Sequence, residues 1–283
     1  GQANPYAAQQ GQAYGQQGAY GMPQEQAYGQ QGAYGDQMAS YEAMMNAPAA
    51  DAVDRGRMTY DDVVVKSLMC FGLLVAGAVV GWMTGVIVPG LAMLTALGLC
   101  AVTLCLGLFV RFSKKVRPGA IIAYSLLEGF VLGALSFAFE TLYPGIVVLA
   151  VLATLIVIGV TLAAFSFGFV RNSKTLTRVA LLGSTAFAVY YGISFVLGVT
   201  GAVDMTLVRN IQVFGIPLGV IIGLLAVFIG VLCLVRDFDA VKVGVNAGVP
   251  VKYSWLCTFA IMTDVIWIYL EILRILSYFM RRD

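Results

Sequence analysis

The sequence predicts an all-α membrane protein with seven transmembrane helices. Of its 283 residues, 60% are hydrophobic and 11% are charged, and the mean hydropathy is +0.86. Soluble domains do not reach this balance, whereas multi-span membrane proteins do. The apolar residues fall into seven segments, each near the ~20 residues that a helix needs to cross ~30 Å of hydrocarbon. The segments are residues 65–88, 90–112, 119–139, 146–170, 178–200, 212–235 and 254–280.

The N-terminal residues 1–58 differ in composition and form the first of two predicted domains. The decapeptide QAYGQQGAYG occurs at 12–21 and again at 26–35, in a stretch rich in Gly, Gln, Ala and Tyr. This stretch lacks the aliphatic residues that build a core, so we expect a disordered tail. Two roles fit the composition, a flexible tether or a tyrosine-rich segment that recruits partner proteins. Residues 59–283 form the second domain, which contains the seven segments.

Local signals mark where the helices begin and end. Thr59, with Asp62 three residues later, has the pattern of a capping box and predicts the start of the first helix. Proline-glycine pairs suit tight turns between segments. These pairs are Pro89-Gly90, Pro118-Gly119 and Pro144-Gly145. The fifth segment is the most polar, because it contains Tyr190, Tyr191 and Ser194.

Glycine at every fourth position predicts close packing between helices. Three segments carry such a strip, which gives a flat surface where backbones can approach each other. We expect about two of the three strips to form interfaces. The strips are Gly77, Gly81 and Gly85; Gly129 and Gly133; and Gly215, Gly219 and Gly223.

The distribution of basic residues predicts the orientation in a cell (inner or plasma) membrane. Positive charge is concentrated in three of the six connections, which are therefore expected to be cytoplasmic together with the N-terminus. Seven crossings then place Arg281 and Arg282 on the opposite side, against this trend, so either the two arginines are tolerated there, which we favour, or the seventh segment is re-entrant. The basic residues are Arg111, Lys114, Lys115 and Arg117; Arg171, Lys174 and Arg178; and Arg236, Lys242 and Lys252.

Five acidic residues within or at the end of apolar segments are the candidate functional residues. A charge inside a span costs roughly 2.5 to 3.5 kcal/mol on insertion scales and faces the bundle interior or a wet cavity. Asp264 and Glu271 are seven residues apart, so they share a face of the seventh helix. The five residues are Glu128, Asp237, Asp239, Asp264 and Glu271.

Each acid also has a structural interpretation. Asp239 has Arg236 and Lys242 three residues to either side, which is typical of a locally paired, solvated helix end. Glu271 has Arg274 at i+3, and the two could neutralise each other within the span. Glu128 could serve only to bridge neighbouring helices by hydrogen bonds.

The composition excludes several classes of function. With no histidine in the chain, a Ser/His/Asp triad, a histidine metal site and an imidazole switch are all excluded. The five cysteines lie in apolar stretches without a C-x-x-C pair, which favours packed thiols. A net charge of +2 gives no indication of a nucleic-acid partner. We expect no cofactor and no permanently bound metal.

Three stretches resemble the Bax inhibitor family, also called the transmembrane Bax inhibitor motif family. YLEIL at 269–273, with Arg281 ten residues after the acid, is similar to the family's Y-L-D ending. Asp239-Ala240 resembles its aspartate-threonine at the end of the sixth helix. SLLEGFVLG at 125–133 resembles its third-helix glutamate-glycine stretch. The resemblance covers residues 59–283.

The resemblance implies six helices around a central seventh and a carboxylate pair between helices six and seven that responds to pH and gates a calcium leak. Carried over by position, the pair is Asp239 and Glu271, where transient calcium binding is expected, and Arg111 is the expected lock. The chain departs from the family pattern at three positions. Glu271 replaces an aspartate, Arg274 an asparagine and Ala240 a threonine.

Helix geometry conflicts with this assignment. Counting from Ser254 at ~1.5 Å per residue, Glu271 lies ~26 Å along the seventh helix. Asp264 lies only ~15 Å along it, nearer the level of Asp239. We rank Glu271 first as partner on the motif and Asp264 second, with Asp237 as a further candidate. Two carboxylates ~4 Å apart repel by roughly 4 kcal/mol at an effective dielectric near 20, so either pair is expected to share one proton.

The predicted function is therefore a pH-sensitive calcium or cation leak channel rather than an enzyme. Intramembrane aspartyl proteases carry G-x-G-D before the second acid, whereas Met262-Thr263 precedes Asp264 here. The alternative is a regulatory membrane protein that uses its tail to bind other membrane proteins, such as a quality-control protease, and transports nothing.

Overall fold

The computed structural model describes residues 56–113, 115–200, 211–213 and 215–280. This part of the chain forms seven long helices, all apolar enough to cross a membrane, and confirms the predicted fold class. A short hairpin precedes the sixth helix and a single 3-10 turn, Val251–Tyr253, precedes the seventh. The elements are α1 Tyr60–Ile87, α2 Pro89–Phe112, α3 Pro118–Leu142, α4 Ile146–Ser166, α5 Lys174–Thr200, β1 Gln212–Val213, β2 Ile216–Pro217, α6 Leu218–Asn246 and α7 Ser254–Met280.

The sixth helix is displaced along the chain relative to the prediction. Residues 212–213 and 215–217 belong to the hairpin, in which Gly215 adopts φ 79°. At its other end α6 continues eleven residues beyond 235, as far as Asn246. Hydropathy along the sequence falls near Arg236, but a charged residue does not by itself end a helix. The chain turns only at Gly248, which adopts φ 63°, and at Pro250. Asp237 and Asp239 therefore lie within α6 and not at its end.

The predicted capping box at the start of α1 is confirmed. The Thr59 hydroxyl accepts a hydrogen bond from the Asp62 N–H at 3.2 Å, and Asp62 Oδ2 accepts one from the Thr59 N–H at 3.0 Å. This reciprocal pair satisfies two N–H groups that would otherwise lack partners.

The boundary of the predicted tail is wrong at its last residues. Met58 is 1% exposed and packs against Val63 and Val241. Its N–H donates to the Val249 carbonyl at 2.8 Å, and Val251 N–H donates to the Gly56 carbonyl at 2.9 Å. Residues 56–58 are thus hydrogen-bonded and packed against the α6–α7 connection. Residues 1–55 of the predicted tail, Lys114, Arg281 and Arg282 lie outside the described residues.

Helix α7 lies at the centre of the other six. One core cluster joins it to α1, α2 and α3 through Cys70, Val110 and Tyr124. A second joins it to α4 and α6 through Ala150 and Leu234. In α5, Phe187 meets the ring of Trp267 edge to face, with centroids 6.0 Å apart. Every other helix therefore contacts α7, as the resemblance implied.

The glycine strips form the closest helix contacts. The strips of α1 and α3 pack on each other, because a Cβ on Gly77, Gly129 or Gly133 would clash with the backbone of the facing helix. On α6, a Cβ on Gly219 would clash with the Tyr278 ring of α7. All three predicted strips are therefore interfaces, although Gly215 itself lies in the turn before α6.

Replacing Gly133 by alanine should destabilise the protein by ~1 to 3 kcal/mol, because the new methyl group would overlap the Ala78 backbone. Gly98→Ala is the matched control, since nothing lies within 4 Å of a Cβ there and alanine favours a helix. Thermal unfolding in detergent should show a lower midpoint for Gly133→Ala alone. Equal midpoints would contradict the α1–α3 contact.

Candidate functional site

The antiparallel pairing of α6 and α7 sets the level of every acidic side chain between them. A Cβ on Gly223 would lie 2.6 Å from Ile275 Cγ1, and one on Gly230 would lie 2.8 Å from Ile268 Cγ1. Extending this register at ~1.5 Å per residue puts Asp264 near the level of Leu234 and Glu271 near that of Val227.

Asp237 of α6 and Asp264 of α7 meet side chain to side chain, and we call them the aspartate pair. Asp237 is 5% exposed. Arg236 donates to its Oδ1 from Nε at 3.1 Å and from Nη2 at 3.0 Å. The other oxygen, Asp237 Oδ2, and the Oδ2 of Asp264 are both buried, and neither meets a donor in the described part of the chain.

A single proton would complete this arrangement of acceptors. Two buried carboxylate oxygens without donors would each forgo a hydrogen bond and would also repel each other. One proton held between them supplies the missing donor. It also balances the charge, because Arg236 then neutralises the single remaining negative charge. The exposed Arg111, at the end of α2, adds an attractive interaction with both carboxyl groups.

The first-ranked pair, Asp239 with Glu271, is wrong. In the observed register, the level of Glu271 on α6 lies about twelve residues, or ~18 Å, from Asp239. Asp239 instead accepts a hydrogen bond from Asn172 Nδ2, in the α4–α5 connection, at 2.9 Å. Its expected neighbour Arg236 pairs with Asp237. Helix α7 begins at Ser254, the residue from which the distances along it were counted in the sequence analysis. Those distances pointed to Asp264, whereas the family motif pointed to Glu271.

Glu271 belongs to a separate buried group, the Glu271 cluster, formed by Tyr191, Glu271 and Arg274. The Tyr191 hydroxyl donates to Glu271 Oε1 at 2.7 Å. Arg274 Nη2 donates to Glu271 Oε2, and the guanidinium carbon lies 5.1 Å from the centre of the Tyr191 ring. The local pair between Glu271 and Arg274, one of the two interpretations of this acid, is therefore formed.

An apolar layer separates the aspartate pair from the Glu271 cluster. Asp264 and Glu271 are seven residues, or ~10 Å, apart along α7. Between them, Ile268 packs against Gly230, and Trp267 packs in an aromatic group with Phe187 and Tyr191. These apolar and aromatic side chains lie between the two polar levels.

Glu128 has the bridging role considered from the sequence. Its carboxyl group on α3 interacts with the Thr103 hydroxyl of α2 and lies near Cys100 and Tyr124. In the described residues, no group of three or more Cys, Asp or Glu side chains is placed to hold a metal ion.

The sequence analysis missed partners of the acids, among them Asn172 and Tyr191. Asn172 gave no signal, because it lies in a connection and meets Asp239 only through tertiary structure. Tyr191 gave a weak signal, since it contributed to the unusual polarity of the fifth segment. A tyrosine within a span needs a partner for its hydroxyl, and Glu271 is that partner.

The fold and these buried groups define a multi-pass integral membrane protein with ionisable side chains in its central helix. The family model described as "Bax inhibitor 1 like" matches residues 4–281, and the chain belongs to this family. The match begins within the predicted tail, whereas the recognised motifs covered only residues 59–283. No curated protein and no solved structure matches the chain.

Tyr191→Phe should destabilise the protein by about 1.5 to 3 kcal/mol, because it removes a hydrogen bond to a buried carboxylate. Tyr190→Phe is the matched control from the same aromatic group, and its effect should stay within about 0.5 kcal/mol. Thermal unfolding of the two variants in detergent measures the difference. Equal losses would contradict the hydrogen bond to Glu271.

Proposed function

We propose that this protein is a pH-sensitive cation leak channel, with calcium as the permeant ion, gated by the aspartate pair. The observation that carries the proposal is the pair of buried oxygens, Asp237 Oδ2 and Asp264 Oδ2, that lack any donor in the described residues. Carboxyl groups inside a span mark ion paths and proton relays. On this proposal the acids bind protons and ions and do not catalyse a reaction.

With one proton, the pair holds α6 and α7 together. A hydrogen bond between a carboxyl and a carboxylate is charge-assisted and strong. It links the two helices at mid-depth, and the apolar layer beside it stays packed. We assign the contacts described above to this closed form.

Loss of the proton removes the link and adds a charge. Two carboxylates ~4 Å apart then repel by roughly 4 kcal/mol at an effective dielectric near 20. Two neutralising responses compete. A hard cation can bind through the carboxylate oxygens, or Arg111 can move toward the pair and lock it. The pair thus acts as a two-state element biased by pH without histidine.

The location follows from the charge distribution. We place the protein in the cell membrane, with the N-terminus and the basic α2–α3, α4–α5 and α6–α7 connections in the cytoplasm. The aspartate pair then lies ~15 Å from the cytoplasmic start of α7. Cytoplasmic pH is the signal it would sense.

Asp264→Asn and Asp237→Asn should each abolish the pH dependence of calcium flux, because an amide supplies a permanent donor in place of the shared proton. Full-length protein in liposomes loaded with a calcium indicator provides the measurement. Asp239→Asn is the control, since Asp239 is bonded to Asn172, and it should keep the pH dependence. Flux that is identical in all four proteins would reject the channel and favour a regulatory role.

The Arg111→Gln variant should show in which direction calcium flux changes with pH. Without the competing arginine, only a cation can neutralise the negative charge of the pair. Calcium flux should therefore rise as the pH rises past the point at which the pair loses its proton. The same liposome assay, compared with the wild-type protein, measures this. Flux from Arg111→Gln that falls as pH rises would contradict the proposed competition.

A further inference from the structure

The Glu271 cluster contains a fixed positive charge on the same helix face as the aspartate pair. Asp264, Glu271 and Arg274 follow one another at intervals of seven and three residues along α7, which keeps them on one side of the helix. An ion that moves along this side of α7 past the aspartate pair meets Arg274 at the next polar level.

The guanidinium of Arg274 occupies the crevice between α6 and α7. A Cβ on Gly223 of α6 would lie 3.8 Å from Arg274 Nη2, so the guanidinium lies in van der Waals reach of the α6 backbone, beside the Ile275 side chain that packs directly on this glycine. Arg274 is largely enclosed, with 17% of its side chain exposed, and Glu271 is 7% exposed. The Tyr191 ring and hydroxyl complete the enclosure on the α5 side.

Arg274 stands in the position of a bound cation. A carboxylate buried in a span attracts a positive ion, and here the chain supplies its own at the Glu271 oxygens. A second cation that approaches the same oxygens is repelled by the guanidinium, and a divalent ion is repelled about twice as strongly as a monovalent one, because the energy scales with the product of the charges.

We propose that Arg274 is a selectivity-determining residue that limits cation passage at the Glu271 level and disfavours divalent ions there. This inference rests on the proposed channel function. On this inference, an ion that moves along α7 crosses two barriers in series. The barrier at the aspartate pair responds to pH, and the barrier at the Glu271 cluster does not. The cluster carries a matched positive and negative charge and has no acid without a donor.

The test compares Arg274→Gln with Glu271→Gln in the liposome assay, using calcium and potassium in turn. Arg274→Gln exposes an unneutralised carboxylate, so calcium flux should rise at least tenfold, which corresponds to ~1.4 kcal/mol of barrier, and the calcium-to-potassium ratio should increase. Glu271→Gln leaves the arginine uncompensated, so flux should stay at or below the wild-type level. Arg274→Lys keeps the charge and should stay near wild type.

The two glutamine variants are expected to change flux differently, and this difference distinguishes the proposed charge effect from misfolding. Loosened packing would raise flux in both variants. The control Arg178→Gln removes an exposed charge at the start of α5 and should change nothing. In Arg274→Gln the pH dependence should persist, because the aspartate pair is intact.

Two outcomes would overturn the inference without contradicting the channel function. One is pH-dependent flux in the wild-type protein with the same calcium flux in Arg274→Gln. The other is an equal increase of flux in both glutamine variants. Absence of pH-dependent flux in the wild-type protein would instead overturn the channel and this inference with it.

Discussion

The contact between two buried aspartates is the constraint on which the proposed mechanism depends. Asp237 and Asp264 face each other across α6 and α7, and Arg236 satisfies only one oxygen of the pair. In a medium without water to supply donors, the remaining oxygens are stable together only if they hold a proton. Under the proposed function, the same contact that joins the helices also makes their joining depend on pH.

The surrounding fold keeps this contact away from lipid. Six helices enclose α7, and the glycine strips let α1 and α3 approach at backbone distance and let side chains of α7 pack directly on the α6 backbone. Close approach excludes solvent and keeps the two aspartates opposed. Ile268 and Trp267 then separate the pair from the Glu271 cluster, so the acids on α7 act at two levels with different chemistry. In the aspartate pair, the Oδ2 atoms of Asp237 and Asp264 lack a donor in the described residues, whereas Glu271 has both a tyrosine and an arginine.

Features set by local sequence were predictable, and features set by the packing of distant segments were not. Composition and segment length predicted seven spans, and Thr59 with Asp62 predicted the first cap, because both depend on neighbouring residues. The pair of Glu271 and Arg274 was foreseen because i and i+3 side chains meet on a helix. The end of α6 was misplaced because hydropathy reports lipid contact and not helix termination. The partner of Asp237 depends on the α6–α7 register, which the connection 247–253 sets. Motif similarity ranked Glu271 first, whereas rise per residue pointed to Asp264.

The central claim is that the aspartate pair holds a proton in the closed form, and infrared spectroscopy of the carboxyl C=O stretch tests it directly. In the wild-type protein near neutral pH, the spectrum should contain the band of a protonated carboxylic acid, and the band should vanish in both Asp237→Asn and Asp264→Asn. A spectrum without that band, or with a band that both substitutions leave unchanged, would contradict the account.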